Sequence, residues 1–161
     1  YLGRDAIEPF LQYPERGVFL LCKTSNAGAS DLQDLMVTID HGPQTTDEKE
    51  SSMVHGLLSM PLYEHVAHLA QTWNTRNNIG LVVGATYPET LARVREAAPN
   101  LWFLVPGIGA QGGELETALK AGLRKDGKGM LINVSRSIAR AAKPGTAAAE
   151  MRDQILSIKG I

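Results

Sequence analysis

Four short apolar runs divide the chain: GVFLLC (17–22), IGLVVG (79–84), LWFLV (101–105) and MLINV (130–134). Their apolar positions are consecutive rather than alternating, the habit of strands covered on both faces in a parallel sheet. Between the runs the period changes. Leu62, Val66, Leu69, Ala70 and Trp73 fall on one helical stripe, with Pro61 at a tolerated first-turn position and an expected end near Arg76. Asp5-Ala-Ile-Glu8 reads as a capping box opening a short helix that runs to about Tyr13 and stops at Pro14. Thr86-Tyr-Pro-Glu89 reads as a second capping box, with a helix to about Ala98. Ser30 caps a helix in SDLQDL, and further helices are expected over 114–122 and from about 146 to 158. Residues 37–60 show no sustained period and are polar in their middle. They read as a long loop or insertion, and because such loops are uncommon in compact domains, a mobile stretch or a small element of its own is expected there.

Strands that alternate with helices imply an α/β fold with a parallel sheet covered by helices. An open doubly wound sheet and part of a (β/α)8 barrel both give this order. The 161 residues are too few for a whole barrel, which usually takes about 250. Half a barrel fits the count. Composition agrees with one globular domain, at 43% hydrophobic and 20% charged residues. Sixteen basic and seventeen acidic residues leave a formal charge of -1, so no basic field points to nucleic acid or an acidic membrane surface. One cysteine, Cys22, excludes an internal disulfide and suits a reducing compartment, with cytoplasm the default. No run approaches the roughly 20 apolar residues of a membrane span, and no charged-then-apolar leader opens the chain. The first residue is Tyr1, which leaves room for a processed chain or a fragment.

In parallel α/β folds, ligands meet the loops at the carboxyl ends of the strands. Here those loops are KTSN (23–26), GATYPE (84–89), PGIGAQGG (106–113) and SRS (135–137). The third contains Gly107-Ile108-Gly109-Ala110-Gln111-Gly112, a match to the dinucleotide pattern G-x-G-x-x-G. That reading needs an acidic residue about 20 positions on, at the next strand end, to hold a ribose hydroxyl. Ser135-Arg136 stands there instead. A glycine loop beside an arginine fits a phosphate, with backbone N–H groups near a helix start and a guanidinium fork as donors. The plainer readings are a solvated arginine and glycines that serve only a turn. Lys23, at the end of the first run, is a candidate site residue with a structural ion pair as its alternative. His65 and His68 read as helix surface rather than metal ligands, and Cys22 as a small core residue.

YLGRDAIEPF, GVFLLCKTSNAGASDLQDL, PLYEHVAHLAQTWN, NIGLVVGATYPE, LWFLVPGIGAQGGE and GMLINVSRSI, in that order, resemble the carboxyl-terminal half of orotidine 5'-monophosphate decarboxylases of the bacterial type 2 branch. The resemblance covers nearly the whole chain except about residues 37–60. It implies one partial-barrel domain over 1–161, strands five to eight of a (β/α)8 barrel, with the long loop inserted. It also implies decarboxylation of orotidylate to uridylate and CO2, in pyrimidine biosynthesis, without metal or organic cofactor. Ser25 would hydrogen-bond the pyrimidine, Pro106 would line the base pocket, and Gln111 and Arg136 would hold the phosphate, with Gly112 beside them. Lys23 and Thr24 are further candidates in the same loop. The family is typically dimeric, so either a homodimer or a missing amino-terminal half is expected as partner.

One departure changes the expectation. The family's acid-base centre, Asp-x-Lys-x-x-Asp on strand three, has no counterpart in these 161 residues. Arg124-Lys125-Asp126 is the nearest lookalike and sits at the amino end of the last strand, the wrong face for chemistry. No catalytic residue is therefore expected in this chain, and the chain alone is expected to be inactive. A non-catalytic, phosphate- or nucleotide-binding half-barrel is the alternative.

Overall fold

The computed structural model describes residues 3–44, 54–109 and 114–160. Four of its strands form one sheet: β1 (Val18–Lys23), β4 (Ile79–Val83), β5 (Trp102–Pro106) and β6 (Met130–Asn133). They lie side by side in the order β1-β4-β5-β6, and every neighbouring pair is parallel. These are the four apolar runs of the sequence. Two more strands, β2 (Met36–Gln44) and β3 (Val54–Pro61), make a separate antiparallel pair. The helices are α1 (Glu8–Leu11), α2 (Ser30–Gln33), α3 (Leu62–Trp73), α4 (Pro88–Ala97), α5 (Leu115–Gly122), α6 (Arg136–Ala139) and α7 (Pro144–Lys159).

The strand order distinguishes between the two architectures left open by the sequence. Parallel crossovers are right-handed, so a sheet whose strands follow one another without reversal carries all its crossover helices on one face. A doubly wound sheet needs a reversal of direction to cover the second face. There is no reversal here. The covered face presents Ile79, Leu81 and Val83 of β4 and Phe103 and Val105 of β5. They pack in one core with Val66, Ala67 and Ala70 of α3, Leu91 and Val94 of α4, and Ala118 of α5.

Alternate residues point the other way. Leu21, Val82, Leu104 and Leu131 stand in register across all four strands. Leu21 is 58% exposed and Leu131 45%, whereas Phe103 of the covered face is fully buried. The apolar runs predict strands buried on both sides; among the described residues, helices cover only one side. Gly80, beside Phe19 in the register, lets that ring lie across it, and a methyl group there would also come within 2.8 Å of the Trp102 carbonyl oxygen.

At the amino ends of the strands Arg95 ties the layers together. Its guanidinium lies 3.6 Å from the Phe103 ring centroid and donates to the carbonyls of Gly122, Ala98, Leu101 and Gly129 at 2.8, 3.2, 2.7 and 3.0 Å. Burial lowers its pKa to about 10, which still leaves the charge in place at neutral pH. This is the end of a barrel-type sheet where residues contribute to stability rather than chemistry.

Residues 37–60 hold a small element, one of the two expectations there, because β2 and β3 pair from Met36↔Pro61 to Gln44↔Val54, with an irregularity between Asp40 and Pro43. The base of this hairpin is closed by the Leu62 N–H donating to the Leu35 carbonyl at 2.8 Å. Half-buried Val37 and Ile39 alternate with exposed Thr38 and Asp40, but exposed Met36 and Leu58 interrupt the pattern, so the signal is short. Neither capping box forms. Around Asp5 the chain makes a 3-10 turn, Arg4–Ala6, then α1, without a side-chain cap, and Glu8 pairs with Arg4 at 2.8 Å. The helix after β4 starts at Pro88, not Tyr87, because a residue before proline is pushed to extended backbone, and Tyr87 has φ -126° and ψ 95°. Ser30 likewise lies inside α2 and Ala29 is the cap residue. Among the described residues no helix is long and apolar enough to cross a membrane.

Candidate functional site

The carboxyl ends of β1, β4 and β5 are joined through the turn that follows β4. The Gly84 N–H donates to the Lys23 carbonyl at 2.8 Å, and the Ala85 N–H to the Pro106 carbonyl at 2.9 Å. Gly84 also lies against Ser25, since a Cβ at that position would come within 2.8 Å of the Ser25 hydroxyl oxygen. Glycine here is a packing requirement that fixes the height of the KTSN loop.

That loop is shaped by α2. Lys23 is buried, and its ammonium meets a carboxylate oxygen of Asp34 at 2.6 Å. The Tyr63 ring centroid is 5.7 Å from the same nitrogen. The Thr24 N–H donates to Gln33 Oε1 at 2.9 Å, the Thr24 hydroxyl donates to Asn26 Oδ1 at 2.6 Å, and Gln33 Nε2 donates to the Thr24 hydroxyl at 3.0 Å. Lys23 thus has the structural partner its plainer reading required, and Thr24 is engaged in holding the loop. Asp34 and Gln33 are supports that sequence reasoning missed. The only signal for them was a buried lysine at a strand end, which needs a nearby anion.

The loops after β5 and β6 meet around a cavity of about 120 Å³. Pro106, Gly107 and Ile108 line one side, and Val134, Ser135 and Arg136 are among the residues of the other. Gly107 and Gly109 have φ of 103° and 70°, so both turns use backbone that other residues rarely adopt. Arg136 opens α6, is exposed, and makes no ion pair with any described residue. The structure therefore brings Pro106 and Arg136 to one cavity, and Ser25 to the strand end next to it through Gly84 and Ala85. Gln111 and Gly112 lie outside the described residues.

Other candidates are placed elsewhere. The Cys22 thiol is buried, donates to the Tyr63 carbonyl at 3.1 Å, and is pushed up to about 12 by that burial, so it is no nucleophile near neutral pH. His65 and His68 lie on α3, and among the described residues no three His, Cys, Asp or Glu side chains group as a metal site. Asp126 is paired with Arg124 at 2.9 Å beside the amino end of β6, and that guanidinium holds its carboxyl below the usual range. The lookalike triplet thus sits at the opposite end of the sheet from Ser25, Pro106 and Arg136.

Comparison with known proteins gives this geometry a family. The family described as orotidine 5'-phosphate decarboxylase / HUMPS matches residues 1–151. The chain belongs to that family. An orotidine 5'-phosphate decarboxylase of Cupriavidus taiwanensis is 45% identical over 160 residues, which are 99% of this chain and 52% of the relative. Among solved structures, Leishmania donovani OMP decarboxylase superposes with a TM-score of 0.80 at 49% identity, covering 100% of this chain and 55% of that one. Leishmania donovani UMP synthase gives 0.81 at 52% identity, over 99% of this chain and 32% of its own. The chain thus spans about half the length of the curated decarboxylases it matches. Its parallel α/β sheet is similar in structure to the (β/α)8 barrels of orotidylate decarboxylases.

Proposed function

We propose that this chain is the carboxyl-terminal half, strands five to eight, of a (β/α)8 orotidine 5'-phosphate decarboxylase, and that it supplies the phosphate- and pyrimidine-binding side of the site. The observation that carries this reading is the cavity in which the loop after β5 faces Arg136 at the start of α6. A planar guanidinium can take two phosphate oxygens at once, and the turn at Gly107 and Gly109 brings backbone close to the same space. Pro106 offers the base an apolar wall. Ser25, set in height by Gly84, offers the pyrimidine a hydrogen bond. Gln111, with Gly112 beside it, joins Arg136 at the phosphate in this reading.

The reaction breaks the bond between the pyrimidine ring and its carboxylate, releases CO2, and places a proton on the ring carbon left behind. It uses no metal or organic cofactor in this reading. The groups that crowd the carboxylate and deliver the proton belong to Asp-x-Lys-x-x-Asp, absent from these 161 residues, and so come from an amino-terminal half. Phosphate binding remote from the reacting carbon still contributes to rate, because its free energy can be spent in the transition state. The working unit has either that missing half or a second copy as partner, in the cytoplasm.

Titration of the chain with uridylate, uridine and inorganic phosphate, followed by amide NMR shifts, tests the binding role. Uridylate is expected to bind about a hundredfold more tightly than uridine, with Arg136→Ala removing most of the difference, a loss of about 2–3 kcal/mol for a bidentate fork. Arg136→Lys should rescue only in part, because a point charge lacks the planar fork. Uridylate affinity unchanged by Arg136→Ala would take the residue out of the site. The missing acid-base motif also favours a second reading, a nucleotide-binding half-barrel without catalysis. Under that reading, adding an amino-terminal half creates no turnover.

A further inference from the structure

β1 does not keep an even register to its end. It pairs with β4 residue for residue from Val18↔Ile79 to Leu21↔Val82, and the next pair is Lys23↔Val83. Cys22 is therefore an extra residue, a β-bulge, and bulges re-aim the side chains beside them. In an even strand Lys23 would fall on the side of Leu21, the open face. The bulge turns it to the side of Val83, under the helices, where Cys22 and Lys23 are both buried. There the ammonium donates to Asp34 Oδ1 at 2.6 Å, beside the Tyr63 ring. Gln33, the last residue of α2, accepts from the Thr24 N–H and donates to the Thr24 hydroxyl. From the other flank the Gly84 N–H donates to the Lys23 carbonyl, and Gly84 lies against Ser25. Residues 23–25 are thus held between α2 and the turn after β4.

We propose that Lys23 and Asp34 are positioning residues for the pyrimidine subsite: their ion pair fixes the bulged register of β1 and so sets where the Ser25 hydroxyl stands. The proposal rests on the binding reading above, in which Ser25 meets the pyrimidine. A strand end that slips by one residue sends every following side chain to the opposite face. In the even register the ammonium of Lys23 would be separated from Asp34 by the sheet, so the ion pair forms in the bulged register and selects it. Fixing a register is the best-attested use of a buried polar pair. Lys23 and Asp34 act through the backbone of the loop rather than by touching the nucleotide. Their influence is local, because the cavity beside Arg136 is built by the loops after β5 and β6. Loss of the pair should therefore weaken pyrimidine binding and spare phosphate binding.

Amide NMR titrations of the chain with uridine and, separately, inorganic phosphate test this. Asp34→Asn alone leaves a buried ammonium without its partner and destabilises the fold, so the deciding variant is Lys23→Met combined with Asp34→Asn, which removes the charge as well. That double variant is expected to keep the urea midpoint of the wild type and to bind uridine about tenfold more weakly, the loss of one well-placed hydrogen bond. Its phosphate affinity should be unchanged, and its Ser25 amide resonance should be displaced before any ligand is added. Asp34→Glu, which keeps the carboxylate, should retain most of the uridine affinity. A measurement on the wild type needs no variant: uridine should slow hydrogen exchange at the Thr24 amide, which donates to Gln33, and inorganic phosphate should not. Uridine affinity untouched in the double variant would overturn the proposal. So would an equal loss of uridine and phosphate binding, or Thr24 exchange that uridine leaves unchanged. A wild type that binds no uridine would refute the binding reading itself, whereas uridine binding that survives loss of the ion pair would refute the positioning role alone.

Discussion

The two faces of the four-stranded sheet are made from the same kinds of residue and meet different surroundings. On one, Leu81 and Phe103 are fully buried under helices; on the other, Leu21 and Leu131 stand in water. Both faces are apolar, and among the described residues helices cover only one of them. The unbroken strand order explains why, since right-handed crossovers put every connecting helix on the same side. Under the half-barrel proposal, the open face is the side that would line a barrel interior.

Truncation should separate the faces most sharply. Phe103→Ala is expected to cost about 3–5 kcal/mol in urea unfolding, the range for a large aromatic removed from a packed core. Leu131→Ala measured at a concentration where the chain is monomeric should cost less than about 1 kcal/mol, because a half-exposed side chain has little burial to lose. Equal losses would mean that something covers the second face in the single chain.

Next in size is Arg95, which holds the covered layers together at the amino end. Arg95→Ala strands carbonyls that it now satisfies and should cost about 3 kcal/mol, with uridylate binding by the folded fraction unchanged. Arg95→Lys should recover little of the stability, since an ammonium cannot span four carbonyls and a ring face. A change in uridylate affinity without loss of stability would move this residue from structure to function.

The smallest effect is an alkaline one. The Cys22 thiol titrates at about 12 in the fold against 9.0 when exposed. With the folded value raised, its contribution is fully present below pH 9 and is lost as pH climbs towards about 12, where the unfolded chain ionises first. Unfolding curves at pH 8 and pH 10.5 should show a loss that Cys22→Ala reduces. Rapid alkylation of the native thiol at pH 8 would contradict its burial.

Much of the covered face was legible in the sequence. Continuous apolar runs located β1, β4, β5 and β6, and the stripe from Leu62 to Trp73 located α3, because burial imposes those patterns. The hairpin was not, since its alternation is confined to residues 37–40 and is interrupted by exposed Met36 and Leu58. The capping boxes failed where other groups took over, Arg4 binding Glu8 and Pro88 delaying the start of α4. In the site, a glycine loop followed by Ser135-Arg136 pointed to a cavity that β5 and β6 do bring together. The supports of KTSN were hidden, because Asp34 and Gln33 reach Lys23 and Thr24 only after the chain has turned back through α2. Nothing in spacing alone separates a lysine that binds substrate from one that binds Asp34.

The central claim is that this chain is the binding half of a decarboxylase whose chemistry lies in the other half. Release of CO2 from orotidylate measures it directly, first with the 161-residue chain alone and then with the amino-terminal half of a curated relative added as a separate polypeptide. The account predicts background release from the chain alone, turnover on mixing, and loss of that turnover at low orotidylate when Arg136→Ala replaces the wild type. Turnover by the chain alone at the rate of a whole relative would contradict it, as would no turnover from a mixture in which the two halves demonstrably bind.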